Sequence, residues 1–159
     1  MGIRVRGTLT EVRRATEDDA DLLVHWHADP DVARYWDGET FTREQILGRL
    51  ARSDVDAYIV EVEGRPVGYL QAWRGTGRSG GLDMFLIPDA RGRGYGPDAA
   101  RALGLQLHEQ EGWAPITVDP YVSNQAAVRA WERAGFVPVG QRPPDEEHAE
   151  PWLLMEFES

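Results

Sequence analysis

The chain of 159 residues contains no cysteine. That excludes disulfide scaffolds, thiolate metal sites and cysteine nucleophiles. Lysine is also absent, and all seventeen basic residues are arginine. No apolar run approaches the ~18 residues needed to cross a bilayer. The opening MGIRVRGTL has no apolar signal-peptide core, and it puts Arg6 where an N-myristoylation site needs Ser or Thr. A soluble, cytoplasmic protein is the expectation. Basic residues are in deficit, and the formal net charge is −10. Such a surface repels nucleic acid and anionic membrane and attracts cations; a cationic substrate would fit it, and so would an acidic excess that serves solubility alone.

What is present points to one folded domain over residues 1–159, with 42% hydrophobic residues and six tryptophans to build a core. Residues 3–12 mix apolar and polar positions and are expected to open as a strand. ATEDDADLLVHWHAD is expected to be a helix with Thr16 as N-cap and Asp19 in the capping-box position, and Thr42 and Gln45 cap a second helix. DAYIVEVEGRPVGYLQAWR is a hairpin turning at Glu63-Gly64-Arg65-Pro66, and LDMFLIP is the next strand. A helix from about Pro97 to Gln110, the strand PITVDPY, a helix ending at Gly135 and two last strands complete a mixed α/β order.

Between strand and helix stands PDARGRGYGPDAARAL, with Gly92, Gly94 and Gly96 on alternate positions. Glycine-rich turns opening a helix offer bare N–H groups and the helix dipole to a phosphate. A Walker A loop needs lysine and is excluded. A dinucleotide fingerprint is formally met by Gly94, Gly96 and Ala99, with Asp119 as ribose acid. It places five residues between Pro88 and the first glycine, however, and leaves no further βα units for a doubly wound sheet. The remaining pattern is R/Q-x-x-G-x-G/A, spanning Arg91, Gly92, Arg93, Gly94, Tyr95 and Gly96. It resembles the acetyl-CoA pyrophosphate loop of the GNAT N-acetyltransferases. Asn124 and Ala127, as N-x-x-A at the start of the next helix, and Gly135-Phe136 at its end extend the resemblance over nearly the whole chain.

That resemblance implies a central, mostly antiparallel twisted sheet with splayed strands, flanked by helices, and acetyl-CoA as cosubstrate. It places backbone N–H groups of Phe85 and Leu86 on the acetyl carbonyl, freed by a bulge in their strand. The loop residues 91–96, Asn124 and Ala127 would hold the cofactor. The chain departs from the family at Trp131, where a tyrosine usually serves as acid for the leaving thiolate. Indole is a donor only and cannot act as that acid.

Within the superfamily, GLDMFLIPDARGRGYG, VDPYVSNQAAVRAWERAGF, GRPVGYLQAW and RYWDGE look most like the aminoglycoside 6′-N-acetyltransferases. The likeness assigns Asp83 as base and Asp119 to the antibiotic. It sets Trp26, Tyr35, Trp36 and Asp37 on the side of the polycationic substrate. Carboxylates suit that task, since an ammonium must lose a proton before it attacks a thioester. Transfer is expected to be direct, in a ternary complex, with no metal; His25 and His27, two apart on a helix, face different sides. His148 is expected at the surface. Acetylation of a siderophore hydroxylysine or a polyamine, and a silent acyl-CoA or aminoglycoside-binding protein, stay open as alternatives. Monomer and homodimer are equally open.

Overall fold

A computed structural model describes residues 4–34, 36 and 38–159. The hairpin is the framework of the sheet. β3 (Val55–Val62) and β4 (Arg65–Arg74) are joined by a two-residue turn in which Glu63 and Gly64 have φ of 51° and 78°. Positive φ at both positions matches the right-handed twist of the flanking strands. β5 (Gly80–Leu86) pairs antiparallel with β4 in one continuous register, from Gly68 opposite Leu86 to Arg74 opposite Gly80. The bulge expected in β5 is therefore not there. Register irregularities lie instead between β3 and β4, at Val60/Glu61, and in the last two strands of the sheet, at Pro138/Gly140.

The expected opening strand is instead two short ones, β1 (Val5–Arg6) and β2 (Glu11–Arg14). The turn between them folds over a carboxylate: Asp98 accepts the N–H groups of Thr8, Leu9 and Thr10 at 2.9–3.0 Å. Thr16 then leads through a single 3₁₀ turn into α1 (Ala20–Ala28). The Asp19 carboxylate accepts the Thr16 N–H at 2.8 Å and a two-pronged contact from Arg13 at 2.9 Å. Burial opposes this charge, but Arg13 and Thr16 outweigh it and hold the Asp19 carboxyl below its usual range. A short α2 (Pro30–Ala33) follows. α3 (Arg43–Leu50) starts at the expected reciprocal cap, Gln45 N–H to Thr42 Oγ1 and Thr42 N–H to Gln45 Oε1.

The second half contains α4 (Tyr95–Leu105), which widens into a π turn at Gln106–Gln110. β6 (Ile116–Val118), α5 (Gln125–Ala134), β7 (Phe136–Arg142) and β8 (Trp152–Phe157) complete it. The eight strands of the described residues form one sheet in the order β1-β2-β3-β4-β5-β6-β8-β7. Only β5 and β6 run parallel, and they pair only at Gly80–Ile116 and Gly81–Thr117. Beyond those pairs they part: Val118, the last residue of β6, pairs with Met155 of β8 and not with β5. The remaining β5 edge is left without a neighbouring strand.

Because successive side chains alternate, the central strands bury residues on both faces. Tyr58, Val60, Leu70 and Leu82 meet Leu103, Trp131 and Phe136 on the α4–α5 side. Ala57, Ile59, Tyr69 and Phe85 meet Leu23, Trp26 and Ile46 on the α1–α3 side. Among the described residues no helix is long and apolar enough to cross a membrane.

Candidate active site

The open edge of β5, the glycine turn and the first turns of α5 enclose a cleft of about 390 Å³, lined in part by Met84, Leu86, Gly94, Gly96, Asn124 and Trp131. Gly92 and Gly94 adopt φ of 75° and 82°, a region that a residue with a Cβ enters only at a cost. Gly96 serves a different end: a Cβ there would come within 3.2 Å of Met84 Cε, so its absence lets α4 lie close on β5. The helix begins at Tyr95, two residues before Pro97. Pro97 therefore occupies the first turn, where a missing N–H costs nothing, and the amides of Tyr95 and Gly96 point out of the helix end.

Arg91 and Arg93 differ. Arg91 fastens the turn, donating to the Leu86 carbonyl at 3.1 Å and the Asp31 carbonyl at 3.0 Å. Arg93 is exposed, donates to the Asp89 carbonyl, and lines a separate groove on the far side of the loop. Asn124 caps α5, its Oδ1 accepting the Ala127 N–H at 3.1 Å.

Strand parity decides which backbone groups of β5 face the cleft. Gly80 N–H donates toward β6, to the Pro115 carbonyl, whereas Ile87 N–H donates toward β4, to Val67. N–H directions alternate along a strand, so Met84 and Leu86 face the cleft and Phe85 faces β4. Phe85 is thus corrected as a backbone donor: its amide belongs to the β4 ladder, and its ring is buried against Trp26 and Tyr69. Leu86 lines the first cleft.

A second cleft, of about 600 Å³, shares Met84, Asn124, Ala127 and Trp131 with the first. Trp36, Gln71, Asp83 and Asp119 also line it. Asp83 is half-buried beside the junction and accepts Gln71 Nε2 at 3.0 Å, while Gln71 Oε1 accepts the Tyr69 hydroxyl at 2.7 Å. A carboxylate can only accept, so Gln71 must turn its NH₂ to Asp83 and its oxygen to Tyr69. Burial pushes the Tyr69 hydroxyl up to about 12, which keeps it a donor. Sequence reasoning missed Gln71. Its signal was available in the register: counting outward from Gly77, the centre of the β4–β5 loop, sets residue 71 opposite residue 83.

Trp26 is not brought to either cleft. It is 7% exposed and packs edge-on against Phe85 at 6.0 Å, because the apolar side of α1 faces the sheet. Trp36 does line the second cleft, edge-on to Tyr69 at 5.8 Å. Tyr35 and Asp37 lie outside the described residues. Trp131 packs against Phe136 at 5.2 Å and lines both clefts, so packing and site coincide there. His148, expected at the surface, is 8% exposed and joins the second cleft between Asp119 and Asp145. His25 is exposed while His27 is fully buried. Among the described residues no group of three or more His, Asp or Glu is placed to hold a metal.

Residues 15–143 match the family model described as an acetyltransferase (GNAT) domain. The chain belongs to the GNAT acetyltransferases. A curated relative in Klebsiella pneumoniae, aminoglycoside N(6′)-acetyltransferase type 1, is 30% identical across 79% of this chain and 72% of its own length. The solved structure of AAC(6′)-Ib with paromomycin and acetyl-CoA superposes with a TM-score of 0.81 at 27% identity, covering 94% of this chain and 93% of that one. The same enzyme with coenzyme A and kanamycin gives a TM-score of 0.79, covering 92% of this chain and 93% of that one. The mostly antiparallel sheet of this chain has, among the described residues, one parallel pair, β5 and β6.

Proposed function

We propose that this chain transfers the acetyl group of acetyl-CoA to the 6′-amine of an aminoglycoside, directly and within a ternary complex. The observation that carries the reading is the meeting of two clefts at Met84 and Trp131, with Asp83 beside the junction. The first cleft suits acetyl-CoA. Its glycine turn and helix end would take the pyrophosphate, and its apolar wall of Met84, Leu86 and Ala127 would take the pantetheine arm. The loop residues 91–96 contribute mainly backbone, Arg91 by securing the turn. Asn124 and Ala127 contribute by shaping the start of α5.

The cleft-facing N–H groups of Met84 and Leu86 would polarise the thioester carbonyl as fixed donors, a contribution of several kcal/mol in comparable sites. Asp83, oriented by Gln71, would accept the proton of the incoming ammonium and leave a nucleophilic amine. Asp119 would bind a second ammonium, Trp36 would wall a sugar ring, and Asp37 and Tyr35 belong to the same stretch of chain. With no cysteine in the chain, a thioester-linked acetyl-enzyme has no carrier. The departing thiolate, of pKa near ~8.5, would take its proton from water, since Trp131 cannot supply one.

The decisive experiment incubates the purified protein with acetyl-CoA and a kanamycin and tobramycin panel, following free thiol and product mass. Addition of one acetyl group at the 6′-amine is expected. Acetyl-CoA binding without thiol release across the panel would overturn the reading in favour of another amine acceptor or a silent acyl-CoA-binding protein.

A further inference from the structure

His148 lies on the 143–151 connection between β7 and β8, and both of its ring nitrogens meet carboxylates. Nε2 is 2.6 Å from Asp119 Oδ2, and Nδ1 is 2.8 Å from Asp145 Oδ1. A neutral imidazole has one N–H, and its other nitrogen presents a lone pair. Two carboxylates at these distances need two donors, so the geometry describes an imidazolium. The ring stacks on Trp152 of β8 at 4.2 Å and 15°, and the Tyr121 ring stands edge-on at 6.1 Å.

The connection itself is fastened independently of that ring. Asp145 also accepts the N–H groups of Glu147 and His148 and the Trp152 indole N–H, at 2.8–3.1 Å. Glu150 accepts the Ser123 hydroxyl, and Ala149 N–H donates to the Tyr121 hydroxyl. Loss of the proton from His148 therefore removes a charge without releasing the segment. Beyond His148, the charged residues lining the same cleft are Arg34, Asp83, Asp119 and Glu147.

We infer that His148 is a built-in cation that occupies Asp119 in competition with an ammonium group of the acceptor, so that its protonation sets acceptor affinity. This rests on the reading of the second cleft as the place of a polycationic amine. Asp119 keeps 45% of its side chain exposed, enough to be reached by an acceptor. While His148 is charged, the three-residue group Asp119–His148–Asp145 carries a net −1. When it is neutral, the group carries −2 and draws a polycation more strongly. Burial works against the imidazolium, but the two carboxylates outweigh it and raise the His148 pKa. The competition therefore extends above the usual titration range of histidine, and acceptor affinity rises with pH through it. By reciprocity, a bound polycation must lower the pKa of His148.

Two measurements test this. NMR follows the titration of the His148 ring, assigned by loss of its signal in His148→Gln, with and without saturating kanamycin. A fall of about 0.7 of a pH unit is expected, the equivalent of about fivefold coupling. An unchanged or raised pKa overturns the inference. Steady-state kinetics then compares KM for kanamycin in the wild type and His148→Gln against pH, so that titration of the drug's own amines cancels in the ratio. The wild-type to variant ratio should fall about fivefold as pH rises through the His148 titration. A ratio independent of pH overturns the inference. If the protein acetylates no aminoglycoside, the proposed function falls, and the NMR titration repeated with spermine still decides. A lowered pKa retains the competition and an unchanged one ends it.

Discussion

At the scale of single residues, Asp83 has the chemistry and Gln71 the positioning in the proposed function. Asp83→Asn keeps the shape and the contact with Gln71 but cannot accept a proton. Turnover should drop about 10²- to 10⁴-fold, with acetyl-CoA affinity, measured by calorimetry, nearly unchanged. Turnover equal to wild type would remove Asp83 as the base. Gln71→Leu leaves the carboxylate in place without its 3.0 Å donor. It should lower kcat by a smaller factor, with Gln71→Asn, whose shorter side chain cannot reach both partners, no better than leucine. A fall in KM affinity alone, with kcat intact, would assign Gln71 to acceptor binding instead. The Gln71 contact is legible only by counting register outward from Gly77, and the His148 bridge is not visible as a local pattern at all. Gln71 and Asp83 are 12 residues apart, and Asp119 and His148 are 29 apart. Aspartate before proline at 119 was legible; what would stand opposite it was not.

The helices and turns were the most legible elements, because their signals lie within four residues of one another. Thr42 with Gln45, Asn124 with Ala127, and Gly135 at φ 106° sit where their types predict. The N-terminal strand pair was not legible in this way. Its turn is organised by Asp98, in the first turn of α4 and about ninety residues distant, which also accepts the Thr10 hydroxyl at 2.7 Å. Asp98→Ala removes a charged acceptor from three backbone amides and a hydroxyl. It should lower stability by about 2–3 kcal/mol, or Tm by roughly 5–10 °C in differential scanning calorimetry. A Tm within one or two degrees of wild type would show that water replaces those contacts.

The whole molecule carries a pH dependence of its own. His27 is fully buried among Trp36, Phe41, Tyr69 and Phe85, with Arg49 Nη1 3.0 Å from its Nε2. Arginine has no acceptor, so Nε2 accepts, and the proton sits on Nδ1, which has no partner among the described residues. Burial first, and then the Arg49 charge, push the His27 pKa down to about 4. The unfolded chain, titrating near ~6.5, takes up a proton that the folded chain refuses. The His27 contribution is thus complete above that pH and is lost as pH falls toward 4, by about 3 kcal/mol in all. Urea unfolding between pH 7 and 4 should show this decline in the wild type and a much shallower one in His27→Leu. Parallel declines would place the acid sensitivity elsewhere.

The sequence alone determined the order of the elements from α3 onward, the glycine turn that opens α4, the hairpin and the acidic excess. Each depends on residue type, on periods of two or 3.6, or on neighbours within one helical turn. Only the tertiary structure decided which amides face the cleft, turning Met84 and Leu86 outward and Phe85 into the ladder, because that follows from the parity of pairing at Gly80 and Ile87. It also drew Trp26 into the core and set His148 between two carboxylates. Such outcomes depend on strand register and on which segments meet across the sheet. Distant parts of the chain settle both together, so no local stretch of residues encodes them.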